Sequence, residues 1–188
     1  MTDRTEPAVI PLEGPRLRLR AVEATDVEAI RGWHNDPTLR DAQRGYPFPV
    51  SPPMEEAWLA RAQRGDGRGA TFAVTRRDNG ALIGFTLLDE IDWRARTARF
   101  GIAIGEASAR GGGLGRETLD LMLGYGFLTL NLDRIWLEVV AFNARAIALY
   151  DGAGFRREGC LRRHAYAAGR HHDVLVLGLL RDEWRAGP

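Results

Sequence analysis

The sequence contains no lysine, because all 26 of its Lys+Arg positions are arginine. A P-loop grips phosphate with a lysine after its second glycine, so that motif is excluded. Biased codon usage in a GC-rich genome is the plain explanation of an arginine-only chain. A lone arginine is therefore no sign of a phosphate site. There is one cysteine, Cys160, and so no internal disulfide. No apolar run approaches the ~20 residues that span a bilayer. The stretch from Met1 to Gly14 is polar and proline-containing and lacks the apolar centre of a secretory signal. These absences point to the cytoplasm, with no membrane partner. The formal net charge of +1 gives no reason to expect nucleic acid. What is present is ordinary for a globular protein: 188 residues, 45% hydrophobic and 27% charged. A tail over 1–15 and a single domain over 16–188 are expected.

Leu17 and Leu19 alternate with arginines, which suits a strand. Thr25-Asp26 reads as a helix start, with Val27, Ile30 and Trp33 at helical spacing and Pro37 ending the run. The stretch from Arg40 to Val50 reads as irregular. Its Tyr46-Pro47-Phe48-Pro49 centre suits either a pocket wall or an anchor to the core. Ser51-Pro52-Pro53 opens a second helix, with Glu55 and Glu56 at its positive end. Thr71–Thr75 and Ala81–Leu88 are strands joined by the Asp78-Asn79-Gly80 turn, and Asp89–Arg96 is a polar connection. Thr97–Ile104 is a strand whose Gly101 and Ala103 present a small face. A helical stripe from Leu114 through Thr118, Leu121, Met122 and Tyr125 to Leu128 follows. Then come a strand over Ile135–Val140, a helix capped by Asn143 and stopped by Gly154, and two last strands, opened by Phe155 and spanning Val174–Leu180. The order β-α-α-β-β-β-α-β-α-β-β, with its central meander, predicts an α+β fold. A mixed, mostly antiparallel central sheet carries helices on its faces, with a parallel or splayed pair around the glycine-rich turn.

That turn is Arg110-Gly111-Gly112-Gly113-Leu114-Gly115-Arg116, between a strand and a helix start. Glycines there permit positive φ and close approach of a ligand, and a helix N-terminus offers free N–H groups to a phosphate. The dinucleotide pattern G-x-G-x-x-G fits poorly, because meander strands precede the loop. What remains is Arg-x-x-Gly-x-Gly.

With that motif go the run Leu137 to Tyr150, with Glu138 and Asn143 inside it, and then Gly154-Phe155. Together they resemble the GCN5-related N-acetyltransferase (GNAT) superfamily, in particular its ribosomal-protein N-terminal acetyltransferases. The flanking Trp33-His34-Asn35-Asp36, Glu158-Gly159 and Asp182-Glu183-Trp184 resemble the branch acting on protein termini, polyamines or antibiotics. The likeness covers nearly the whole chain after residue 15. Ala146 stands where members with this N-terminal half often carry serine. The resemblance implies the GNAT fold and acetyl-CoA as cosubstrate. Its pyrophosphate would lie on the loop from Gly111 through Leu114 to Gly115, flanked by Arg110 and Arg116. Arg145 would reach the 3′-phosphate, and Asn143 would contact the pantetheine arm. A backbone N–H near Ile102, Ala103 and Ile104 would bind the oxyanion.

Acyl transfer to an amine needs that amine neutral, while alkylamines have a pKa of ~10.4 and protein α-amines ~8. Glu138 is the candidate base, directly or through water. It shares a strand face with Trp136 and Val140, and apolar surroundings raise a carboxylate's pKa; the plain alternative is a partly exposed strand charge. Tyr150, two turns after Asn143, is the candidate acid for the leaving thiolate, or else a core tyrosine. The three arginines are phosphate partners or ordinary surface charges. Cys160 has no companion motif, so direct transfer in a ternary complex is expected. Cys160, His164, His171 and His172 lack zinc spacing, and no metal is expected. The expected partner is a primary amine, first of all a protein N-terminus. A polyamine, aminoglycoside or amino-acid derivative is the alternative, and a non-catalytic acyl-CoA-binding module is the reading from another class. Trp33–Val50 and residues near Asp89, Glu90 and Asp92 should wall the amine pocket. The family suggests a homodimer.

Overall fold

In the computed structural model the described residues are 12–43 and 47–184. Residues 1–11 of the expected tail and Tyr46 of the aromatic loop fall outside them. The chain enters the fold at Leu12–Gly14, where Leu12 accepts the N–H of Leu19 and Gly14 donates to Leu17. Strand β1 is Leu17–Ala21. Its alternation works as read: Leu17 and Leu19 are buried and Arg16 and Arg18 are exposed.

Helix α1, Val27–His34, is preceded by a 3-10 turn over Ala24–Asp26. Asp26 makes that start. Its carboxylate accepts the Glu23 N–H at 2.9 Å and pairs with Arg20 at 2.6 and 2.8 Å. Pro37 breaks α1 as expected, and then opens a helix of its own, α2 over Pro37–Gln43. The stretch read as irregular from Arg40 is therefore partly helical. Proline at a first helical position loses nothing, since that N–H has no intrahelical acceptor. Helix α3 is Pro52–Ala62, with Ser51 at its N-cap position but without a side-chain cap bond. Glu55 does not sit in solvent at the helix end. It is fully buried and meets His34 Nδ1 at 2.9 Å.

The meander is β2 Ala70–Arg76, β3 Leu82–Asp92 and β4 Thr97–Ile104. The β2–β3 turn is closed by Gly80 at φ +72°, with Asn79 Oδ1 accepting the Ala81 N–H. Strand β3 runs four residues beyond its expected end at Leu88, because Asp89 and Asp92 still pair with Arg99 and Thr97 around an irregularity. Helix α4, Leu114–Gly124, continues into a π-helical turn over Tyr125–Thr129. That wider turn shifts the phase of the apolar stripe. Phe127 takes the buried position and Leu128 is left 53% exposed. Strand β5 is Arg134–Val140, α5 Ala144–Gly152, β6 Arg156–Ala167 and β7 Arg170–Leu180.

The described residues form a seven-stranded sheet in the order β1-β2-β3-β4-β5-β7-β6. All neighbours are antiparallel except β4 and β5. That parallel pair is joined only at Thr97–Arg99 against Arg134–Trp136. Beyond it β4 stays with β3 to Ile104 and β5 stays with β7 to Val140, so the sheet splays open between them. One face packs a large core, including Leu88, Phe100, Leu119, Met122 and Leu137, under α4 and α5. The other face carries Ala73, Phe85 and Ala103 beneath Ile30, Trp33 and Trp58 of α1 and α3. Gly105, at the end of β4, lies against the Trp33 indole where a Cβ would overlap the ring.

Candidate active site

An open cavity of about 620 Å³ follows the splay. Its walls run from Thr38 and Leu39 on α2, past Asp89, Arg99, Glu138 and Tyr150, to the glycine loop and Arg145.

At the loop end, Gly111 and Gly113 have φ of +94° and +81°, and Gly113 is the left-handed N-cap of α4. This conformation turns successive N–H groups outward. Among the described residues, the N–H groups of Gly111 through Gly115 have no acceptor in the protein. A Cβ added at Gly111 or Gly112 would meet nothing within 4 Å, so the loop's surface is open. A nest of unpaired N–H groups at a helix start is an anion site by its own geometry.

The flanking arginines are arranged differently from expectation. Arg110 donates Nε to the Ile104 carbonyl at 2.9 Å and Nη2 to that of Gly105 at 2.6 Å, tying the loop to the end of β4. Arg116 pairs with Asp120 at 2.9 Å and donates to the Gly152 carbonyl at 2.7 Å, joining α4 to the end of α5. Both serve the backbone. Arg145, exposed in the first turn of α5, is the cavity-lining arginine without a protein partner among the described residues. Two further residues, Glu117 on α4 and Arg16 just before β1, brace the loop. Glu117 Oε1 accepts the N–H groups of Arg16 at 2.8 Å and Leu17 at 3.0 Å, and its Oε2 accepts Arg16 Nε. Arg16 Nη1 in turn holds the Gly112 carbonyl at 2.7 Å. The partners lie about a hundred residues apart, and no local pattern announces them.

Midway, Asn143 caps α5 by accepting the Ala146 N–H at 3.1 Å and also lines the cavity. Tyr150 sits two turns on, 7% exposed, its ring against Phe100 and Phe155. No hydrogen bond among the described residues holds its hydroxyl. Burial pushes its pKa well above the usual tyrosine range, so the hydroxyl stays protonated. Ile102 and Ile104 line the cavity, whereas Ala103 packs away from it beneath α1. From Phe100 onward β4 has no neighbour on its β5 side, so alternate backbone N–H groups there face the gap.

Toward α2, Glu138 is half-buried on β5 and faces a charge as well as apolar walls, because it interacts electrostatically with Arg99. Arg99 is gripped by Asp89, Nε to Oδ1 at 2.9 Å and Nη2 to Oδ2 at 2.7 Å. Thr38, Leu39, Ala42 and Gln43 of α2 complete this wall. Of the stretches expected to wall an amine pocket, Asp89 and part of Trp33–Val50 line the cavity, the latter on a helix that the sequence did not announce, whereas Glu90 and Asp92 do not line it. Cys160 is exposed on β6 and does not line the cavity.

Comparison with known proteins agrees on the family and not on the acceptor. The model for the acetyltransferase (GNAT) domain matches residues 16–156. Spermidine N(1)-acetyltransferase of Vibrio cholerae serotype O1 is 30% identical over 169 residues, covering 90% of this chain and 95% of its own. The [ribosomal protein bS18]-alanine N-acetyltransferase of Salmonella typhimurium is 33% identical over 143 residues, covering 73% and 84%. Among solved structures, spermidine N-acetyltransferase from Vibrio cholerae in complex with CoA and spermine superposes with a TM-score of 0.82. Its sequence is 30% identical, and the match covers 90% of this chain and 98% of that one.

Proposed function

The chain belongs to the GNAT acetyltransferase family, and from that premise we propose that it transfers the acetyl group of acetyl-CoA to a small primary amine. The observation that carries this is the row of unpaired N–H groups from Gly111 to Gly115, which opens on the same cavity as Glu138 and Tyr150. The residues fit the donor. The loop offers the pyrophosphate a nest, Arg145 offers the 3′-phosphate a cation, and the splay is a slot for a pantetheine arm. When bound, acetyl-CoA supplies an activated thioester carbonyl at the middle of the slot.

The roles of the protein groups follow from where they stand. The amine enters from the α2 side and must be neutral to attack. Glu138 takes its proton, directly or through water. Attack of the neutral amine forms the N–C bond and a tetrahedral oxyanion, which a free N–H on the open edge of β4 stabilises. Its collapse breaks the C–S bond; the departing thiolate takes the Tyr150 proton, and the proton shed by the new amide nitrogen restores Tyr150. Cys160 lies outside the cavity, which supports direct transfer over an acyl-enzyme.

The acceptor reading changes from the one the sequence favoured. A protein N-terminus came first there. The likeness to spermidine acetyltransferases over nine-tenths of the chain supports a small amine instead. The test is thiol release from acetyl-CoA against alkylamines, polyamines, aminoglycosides, amino acids and N-terminal peptides. Release with small amines is expected. Release with peptides alone would restore the N-terminal reading. Tight acetyl-CoA binding with no release from any amine would make the chain a non-catalytic module.

A further inference from the structure

The charges at the acceptor end say more about which amine fits. Asp89 and Arg99 are register partners on β3 and β4. Arg99 also stands opposite Trp136 on β5, two residues before Glu138 on the same face. Arg99 is thus surrounded by acidic groups. Asp89 holds it through two bonds, Glu90 Oε1 lies 3.2 Å from its Nε, and Glu138 acts on it electrostatically. Among the described residues, the two carboxylates lining the cavity are Asp89 and Glu138, and the rest of this end is uncharged: Thr38, Leu39, Ala42 and Gln43 on α2, and Phe85 and Leu87 on β3.

A polyamine brings at least one ammonium besides the amine that reacts. Each needs a carboxylate once it leaves water, since an uncompensated charge in a partly buried slot is costly. Here the site that would supply it already holds a cation of the protein's own. A guanidinium held by two parallel bonds does not leave readily.

Resting on the acetyl-transfer reading above, we propose that Arg99 is a specificity-determining residue. It fills the Asp89 carboxylate site as a built-in cation, so the preferred acceptor is a primary amine with one positive charge and an uncharged, largely apolar body. Spermidine, with its further ammonium groups, meets Arg99 as a like charge.

The experiment compares n-hexylamine with spermidine on the wild-type protein and on Arg99→Met, which keeps the stem's volume and removes the charge. Steady-state thiol release is measured alongside calorimetric binding of each amine to the protein saturated with CoA. In the wild type kcat/KM should favour hexylamine over spermidine. In Arg99→Met the spermidine KM should fall by about tenfold or more relative to that of hexylamine, the scale of one gained charge pair. Adding Asp89→Asn to Arg99→Met should cancel that gain, and Arg99→Lys, which keeps the charge, should leave the wild-type order. A wild-type preference for spermidine, or an unchanged KM ratio in a folded Arg99→Met, overturns the proposal. If neither protein releases thiol with any amine, the acetyl-transfer reading fails. The calorimetric preference still judges Arg99 in that case: equal or tighter spermidine binding by the wild type rejects its role.

Discussion

Tyr150 can be followed by pH because of what the sequence lacks. The chain has no lysine whose own titration would overlap that of a phenol. Desolvation raises Tyr150 far above its ordinary value, and Tyr125 is raised for the same reason. The unfolded chain releases these protons near pH 10 while the folded chain keeps them. Above that pH the unfolded state binds fewer protons, so stability falls as pH rises. The urea midpoint should therefore hold below about pH 10 and decline above it, with a shallower decline in Tyr150→Phe. If the wild type and this variant decline alike, the phenol is not desolvated as described. Desolvation keeps the proton on the phenol but also weakens it as an acid, so its donation must be coupled to the thiolate's departure, and Tyr150→Phe should lower kcat by about 10²-fold. Arg145 permits a separate test. Arg145→Ala should raise the acetyl-CoA KM by about tenfold, the loss of one charge-assisted contact. With acetyl-dephospho-CoA the variant and the wild type should match, whereas a persisting difference would place Arg145 on another group. That Asn143, Glu138 and Tyr150 line one cavity agrees with the family resemblance that singled them out, while their roles belong to the proposal above. The arginines were not legible in the sequence. In a chain with one kind of long cation, nothing local separates Arg145 from Arg110 and Arg116, which hold backbone carbonyls.

At the scale of elements, the glycine loop keeps its shape through a strand remote in sequence. Glu117 is 10% exposed at its side chain and takes two N–H groups from the start of β1 as well as the Arg16 guanidinium. Glu117→Ala leaves those donors without their acceptor and frees Arg16 from its orientation toward Gly112. A loss of roughly 2 kcal/mol is expected for charge-assisted bonds of this kind. For a chain of this length that lowers Tm by about 4–8 °C. The acetyl-CoA KM should rise as well, since the Gly112 peptide is no longer held by Arg16. A lower Tm with an unchanged KM would show that the loop keeps its geometry without the brace. Element boundaries failed in the sequence reading where a local rule met a tertiary one. Pro37 correctly ended α1, but a proline is also a good first residue, and α2 grew from it. The α4 stripe was projected to Leu128 at constant period, and the π-helical turn moved the buried position to Phe127.

On the scale of the whole molecule, the meander, the crossover and the mixed sheet were readable because strand and helix periods differ and connection lengths restrict pairing. The splay was readable only through family likeness, since its cause is a pairing that stops after Arg99. On the proposed reading that gap is what makes a generic phosphate loop into a site for a long-armed thioester, and ligand-induced stabilisation can measure the difference. A ligand that binds only the folded state adds RT ln(1 + [L]/Kd), about 2.7 kcal/mol at a hundredfold excess over Kd. In a protein of this size that raises Tm by roughly 5–10 °C. On the proposed reading, in which acetyl-CoA engages the free N–H row and fills the slot between β4 and β5, it should protect the protein. Adenosine 3′,5′-bisphosphate at the same concentration carries the 3′-phosphate but no pantetheine arm, and it should protect markedly less. ATP and NAD offer the loop phosphates without an arm shaped for the gap and should give still smaller shifts. Equal protection by ATP and acetyl-CoA would mean that the loop alone binds and that the splay contributes nothing to recognising the donor.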